Sequence, residues 1–280
     1  MNEEKDVKGG IFFTIGFALL SLVWVFPIIL VLINSFKKKV YISRQPFSIP
    51  TDNMFVKFEN YISGIEKTGF ISAFGTSLFI TVFSVIFIIV CTSMAAWYII
   101  RVRNKFTSMF YYLCLFSMIV PFQMVMFTLS KIANMLHLSN PVGIILIYLG
   151  FGAGLSVFMF TGFVKSIPLE MEEAAMIDGC TPLQTFFKIV FPVMKPTAVS
   201  VAILQAMWIW NDYLLPYLVL DLKKYKTIPI AVQYLKGGYG AVDMGAMMAV
   251  LVLAVIPIVV FYLVCQKYII AGVISGAVKG

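Results

Sequence analysis

Six stretches of about twenty residues or more, at 11–33, 73–99, 107–129, 141–163, 197–220 and 244–267, carry almost no charge, and each is long enough to cross about 30 Å of hydrocarbon as a helix. No strand pattern competes with them, because the apolar character is continuous rather than alternating in segments of roughly ten residues. Backbone groups in lipid must be satisfied within the chain, so a membrane protein without barrel strands is built from helices. Composition agrees: of 280 residues, 61% are hydrophobic and 12% charged, far from the roughly 25% charge of a soluble domain. The expectation is an all-α membrane protein with six transmembrane helices and both termini on one side.

The net charge of +8 is spread over short loops, which suits a membrane rather than nucleic acid. Lys and Arg divide almost evenly between the two faces, so the positive-inside rule leaves the orientation open. The basic turn Arg101-Val102-Arg103-Asn104-Lys105 argues for one orientation and Lys37, Lys38 and Lys39 for the other. Cys91, Cys114 and Cys265 sit in apolar stretches and Cys180 in a loop, without metal-ligand spacing, so no metal site is expected. Pro27, Pro121, Pro216 and Pro257 interrupt apolar runs and predict kinked or broken helices. Three regions follow: 1–72, with the first span and a polar segment; 73–267, the core with the loop 164–196; and the tail 268–280.

That loop has the most informative local chemistry. Pro168 suits a first helical turn, Glu170, Glu172 and Glu173 complement the positive end of a helix dipole, and Gly179 permits the left-handed closure. Thr181, Pro182 and Gln184 then form a capping-box start, and Pro192 is expected to stop the second helix before it. The pattern predicts a helix-turn-helix. Met171, Ala174 and Ala175 share one face, and two alanines there allow another surface to approach closely. A hairpin resting on lipid headgroups is the alternative, although it favours cations and bulky anchors over three glutamates.

At these residues the chain resembles the permease subunits of binding-protein-dependent ABC importers. Their loop reads Glu-Ala-Ala, three residues, Gly, nine residues, Ile, any residue, Leu-Pro; here Glu173-Ala174-Ala175, Gly179, Ile189 and Pro192 match, with Phe191 in the leucine position. Glu59-Asn60-Tyr61, Pro121 with Gln123, Asn211-Asp212 and the ending from Gly272 to Gly280 are similar to the carbohydrate branch, in particular the second permease of maltose-type and multiple-sugar importers. The resemblance implies a cytoplasmic coupling loop between the fourth and fifth helices, seated on an ATPase subunit. Glu173 would anchor it, Ala174 and Ala175 would permit the approach, Gly179 would set the angle, and Asp178 and Pro192 would complete the site. It further implies two ATP-binding subunits, a second homologous permease, an extracellular solute-binding protein, a sugar-like substrate and a multi-pass position in the cell membrane with cytoplasmic termini.

No Gly-rich phosphate loop with a following Lys-Ser or Lys-Thr occurs, so ATP and Mg are expected on partner subunits and no cofactor on this chain. Gln123, Gln205, Asn211 and Asp212 are candidates to line a solute path, the competing reading of Asp212 being an interfacial carboxylate in an aromatic belt. An importer of a non-carbohydrate solute, a stand-alone carrier and a membrane-embedded enzyme are the other classes. The carrier lacks an ion relay, and the enzyme has only His137, with no acid near it in sequence. Lys279 and the small-residue tail either reach the ATPase or end free.

Overall fold

The computed structural model describes residues 3–235 and 243–277. Helices dominate: α1 (Glu3–Ser35), α2 (Lys39–Arg44), α3 (Glu59–Thr68), α4 (Phe70–Arg101), α5 (Lys105–Ser117), α6 (Phe122–Met135), α7 (Pro141–Val164), α8 (Glu170–Ile177), α9 (Pro182–Thr185), a π-helical turn (Phe186–Val190), α10 (Phe191–Val193), α11 (Lys195–Asn211), α12 (Leu214–Val219), α13 (Ile228–Tyr234) and α14 (Met244–Ala277). A single isolated β-bridge joins Lys37 and Phe55 among the described residues. Four helices are long and apolar enough to cross a membrane, and the count reaches six if two bent pairs each form one span.

One bent pair lies within the span expected at 107–129, where Pro121 predicts a break, and the other bends just before the span expected at 197–220. The first is α5 and α6, which meet at 107°. Pro121 stands at the N-cap of α6 in extended conformation; it cannot donate a helical N–H, and its ring disfavours helix in the residue before it. The second is the segment Pro182–Val193 with α11, bent by 77°. Further along, the expected fifth span breaks at Asp212, which leaves α12 as a separate helix. Pro27 and Pro257, by contrast, lie inside α1 and α14 without ending them. The last helix also runs on past 267 to Ala277, while Lys279 and Gly280 lie outside the described residues.

Two compact units make up the chain, one from Met1–Ile71 with Ala231–Pro257 and the other from Ser72–Ile230 with Ile258–Gly280. In the first, Asn60 explains the Glu59-Asn60-Tyr61 motif. Its amide donates to Ser35 O at 2.7 Å and Lys37 O at 2.9 Å, satisfying carbonyls that a helix end leaves orphaned. Tyr61 adds a 2.7 Å hydrogen bond between its hydroxyl and Ser35 Oγ. Lys37 is fully buried, and its ammonium donates to Gln45 O at 2.9 Å and Pro46 O at 3.2 Å; burial lowers its pKa. Asp243 caps α14 through Ala246 N and pairs with Lys67. Burial there pushes the Asp243 carboxyl up, but the Lys67 and Ala246 hydrogen bonds and the nearby cations outweigh it and hold the pKa below the usual range.

In the second unit the core runs through α4, α7 and α11, with Ile80, Ile88, Ile144, Tyr148, Phe160, Val201 and Ile209 in one buried cluster. Small residues let these helices approach, as expected where lipid supplies no hydrophobic drive between them. A Cβ on Gly154 would lie 2.7 Å from Cys114 O of α5, and one on Gly152 would lie 2.6 Å from the Ile88 side chain of α4. Asn140, accepting from Val142 N and Gly143 N, fixes where α7 begins. The same cluster continues through Val164, Phe186, Val190 and Met194, and so anchors the loop that follows α7.

Candidate functional site

α8 starts at Glu170 rather than at Pro168, with Leu169 O accepting from Glu172 N and Glu173 N. Three glutamates fill its first turn. Its far end closes as expected: Gly179 has φ +84°, Gly179 N donates to Met176 O, and Cys180 N donates to Ala175 O. These two bonds are the reversal by which a left-handed glycine satisfies the last carbonyls of a helix. Thr181 then opens α9 with a reciprocal capping box, Thr181 N to Gln184 Oε1 at 2.8 Å and Gln184 N to Thr181 Oγ1 at 3.4 Å.

The second arm does not stop before Pro192. It widens into the π turn, where Phe191 N donates to Phe186 O, and passes through Pro192 into α10. Proline has no N–H to give and its ring crowds the carbonyl four residues back, so a wider turn relieves the conflict without ending the helix. Phe191 packs against Phe186 with ring centroids 5.9 Å apart, the apolar role a leucine would have.

The faces of α8 separate two jobs. Glu172 and Ala175 point inward, 1% and 7% exposed, so Ala175 packs against its own chain rather than facing out with Ala174. Physically, the inner face has the i, i+3 spacing, and Glu172 supplies its fixed point. Glu172 Oε1 accepts from Arg101 Nε at 2.9 Å and Arg101 Nη2 at 2.7 Å, while Oε2 accepts from Trp97 Nε1 at 2.9 Å. On the outer face Glu173, Ala174, Asp178 and Gly179 are exposed, beside Met171, Met176, Leu183 and Ile177, the last 86% exposed. Pro192 is exposed as well. An apolar patch ringed by acids and presented by a capped hairpin is a docking surface in form.

Sequence reasoning singled out Glu173 and passed over Glu172. Three acids in four positions do not say which one turns inward. The available signal was the polar pair Trp97 and Arg101 at the end of the second apolar stretch.

The four solute-path candidates have separate surroundings. Asp212 sits at the break between α11 and α12, where its Oδ1 accepts from Leu214 N at 3.0 Å and Leu215 N at 3.3 Å. Its Oδ2 accepts from the fully buried Tyr148 hydroxyl at 3.0 Å, and the Tyr148 ring meets Trp208 edge-on. Asn211 beside it is exposed and donates to Met207 O of its own helix. Gln205, 3% exposed, lies on the inner side of α11 and donates to Gly152 O at 3.3 Å and Ser156 Oγ at 3.2 Å. Gln123 is exposed in the first turn of α6. Asn211 and Asp212 are thus brought together, whereas Gln205 faces α7.

Residues 88–275, which contain the whole hairpin, match the family described as binding-protein-dependent transport system inner membrane component. The chain belongs to this family. Relatives cover almost its full length. The permease is 37% identical to the probable starch degradation products transport system permease protein AmyC of Thermoanaerobacterium thermosulfurigenes over 260 residues, 93% of each chain. It is 35% identical to the multiple sugar-binding transport system permease protein MsmG of Streptococcus mutans, over 90% of this chain and 91% of that one. A chain of the bacterial ABC transporter that imports the acidic polysaccharide alginate shares its fold, with TM-score 0.77 and 24% identity over 94% of the permease and 97% of that chain. Family membership makes the permease a multi-pass inner-membrane transport subunit rather than a catalyst.

Proposed function

We propose that the permease carries a sugar or oligosaccharide by alternating access, and that the hairpin from Glu170 to Pro192 is the cytoplasmic site where an ATP-binding subunit docks. The exposed outer face of α8 carries this reading, because its apolar groups and Glu173 are held outward by a helix whose inner face is already bonded. Glu173 anchors through a charge-assisted contact, Ala174 keeps the face flat, and Gly179 sets the angle between the arms. Two ATP-binding subunits, which hold ATP and Mg, a second homologous permease and an external solute-binding protein complete the importer. Relatives named for starch degradation products and for multiple sugars support a carbohydrate cargo. Asp212, Asn211, Gln205 and Gln123 are the polar groups that border or brace the route.

The docking reading sets the orientation: Arg101 bonds Glu172, so the basic turn 101–105 lies on the hairpin's face, which an ATP-binding subunit reaches only from the cytoplasm. With six spans both termini are then cytoplasmic. Because coupling is a free-energy difference, the hairpin must bind closed and open ATPase dimers unequally. The test is an Ile177→Cys variant in a background without other cysteines, probed with a membrane-impermeant maleimide, beside Phe47→Cys. Labelling of position 177 only from the inside, and of 47 only from the outside, is expected; labelling of 177 from outside overturns the assignment.

A further inference from the structure

Both arms of the hairpin are tied to one place on α4. Trp97 and Arg101 are four residues apart near the end of that helix and so leave the same face. Together they occupy both oxygens of the Glu172 carboxylate, and Arg101 Nη2 also donates to Ile167 O at 3.0 Å, in the turn before α8. The other side of the Trp97 ring meets Phe186 in the π turn, with centroids 5.4 Å apart. Phe186 is fully buried. One indole therefore touches the first arm through its N–H and the second through its ring.

The hairpin joins the neighbouring helices through irregular turns, one at Lys165–Leu169 and the other the π turn with the 77° bend before α11. The second is itself packed into the core through Phe186, Val190 and Met194. α4 differs in being an unbroken helix of 32 residues.

We propose that Trp97, Arg101 and Glu172 form a rigid link that makes the hairpin and α4 move as one body, so that ATPase closure enters the membrane through α4. Glu172 is then a positioning residue, distinct from the outward Glu173. With three hydrogen bonds on its carboxylate and 1% exposure, Glu172 is out of reach of a partner subunit. The link deepens the docking reading above and depends on it only for its consequence.

The test uses the complete importer in nanodiscs, with ATPases, second permease and ligand-loaded binding protein purified from the native host. Glu172→Gln and Arg101→Gln are compared with Glu173→Gln by hydrogen exchange over 170–185, ATPase retention and stimulation of ATP hydrolysis by the binding protein. Each link variant is expected to raise exchange in α8 about tenfold, as loss of a charge-assisted hydrogen bond implies. Retention should stay normal while stimulation falls at least about threefold, and the double variant should be no worse than either single. Unchanged exchange overturns the link, and raised exchange with full stimulation overturns its role in transmission. Should Glu172→Gln fail to fold, Trp97→Ala, which keeps the Arg101–Glu172 pair but removes both the N–H bond to Glu172 and the ring contact with Phe186, decides by the same readouts. A Glu173→Gln variant that retains its ATPase defeats the docking reading instead, and leaves the exchange result standing.

Discussion

Gly179 and Glu173 meet different physical demands within one short hairpin. At φ +84°, Gly179 occupies backbone space that costs an L residue roughly 1–2 kcal/mol, yet nothing lies within 4 Å of where its Cβ would be. Gly179→Ala is therefore expected to fold, at a cost of about 1–2 kcal/mol, and to shift the angle between the arms. Detergent yield should change little while co-purified ATPase falls; full retention of ATPase would mean the angle is unimportant. Glu173→Gln keeps shape and removes charge, so it should weaken retention without altering the thermal stability of the permease alone. Gly179 and the Thr181-Gln184 box were legible from sequence because caps obey local rules within a few residues. The inward turn of Glu172 was not, because it is decided by Trp97 and Arg101, some seventy positions away.

Among the elements of the second unit, α7 is the most enclosed of the long helices. Half of its apolar window is buried, against a third for α4 and none for α1. Gly154 brings α5 close enough that an added Cβ would sit 2.7 Å from Cys114 O and 2.8 Å from Ser117 Oγ. A backbone carbonyl cannot rotate away, so α5 as a whole would have to shift. Gly154→Ala is expected to cost about 1–3 kcal/mol, typical of overpacking, read as a lower unfolding temperature in detergent. Gly150→Ala, with open space at its Cβ, is the control and should be neutral. Equal effects at both positions would refute the packing. α1, α4, α7 and α14 were readable because an apolar run longer than the bilayer has one plain solution. The α5–α6 and α11–α12 breaks were not located by the same logic, because average apolarity is blind to where the chain turns. Pro121 and Pro216 flag interruptions, but Pro216 falls inside α12; only the turn at Met118–Val120 and the Asp212 bonds to Leu214 and Leu215 place the breaks.

Across the whole molecule, burial is graded in a way that lipid should report. The apolar windows of α1 and α14 are 0% and 11% buried, those of α4 and α7 33% and 50%, and α1 side chains such as Val23 and Trp24 are 68% and 75% exposed. In water such helices would aggregate, whereas in a bilayer they are already in an apolar solvent and need no further partner within the chain. A lipid-soluble diazirine activated in membranes holding the permease alone should therefore label α1 and α14 most, α4 less and α7 least, with Tyr148 and Phe160 nearly silent because both are fully buried. Labelling of α7 at the level of α1 would contradict the core itself. Adding the second permease and the ATPases extends the test. A transport path shared between two chains requires a face of this one to lose lipid contact on assembly, while the buried side of α7, with Tyr148 and Phe160, should not change.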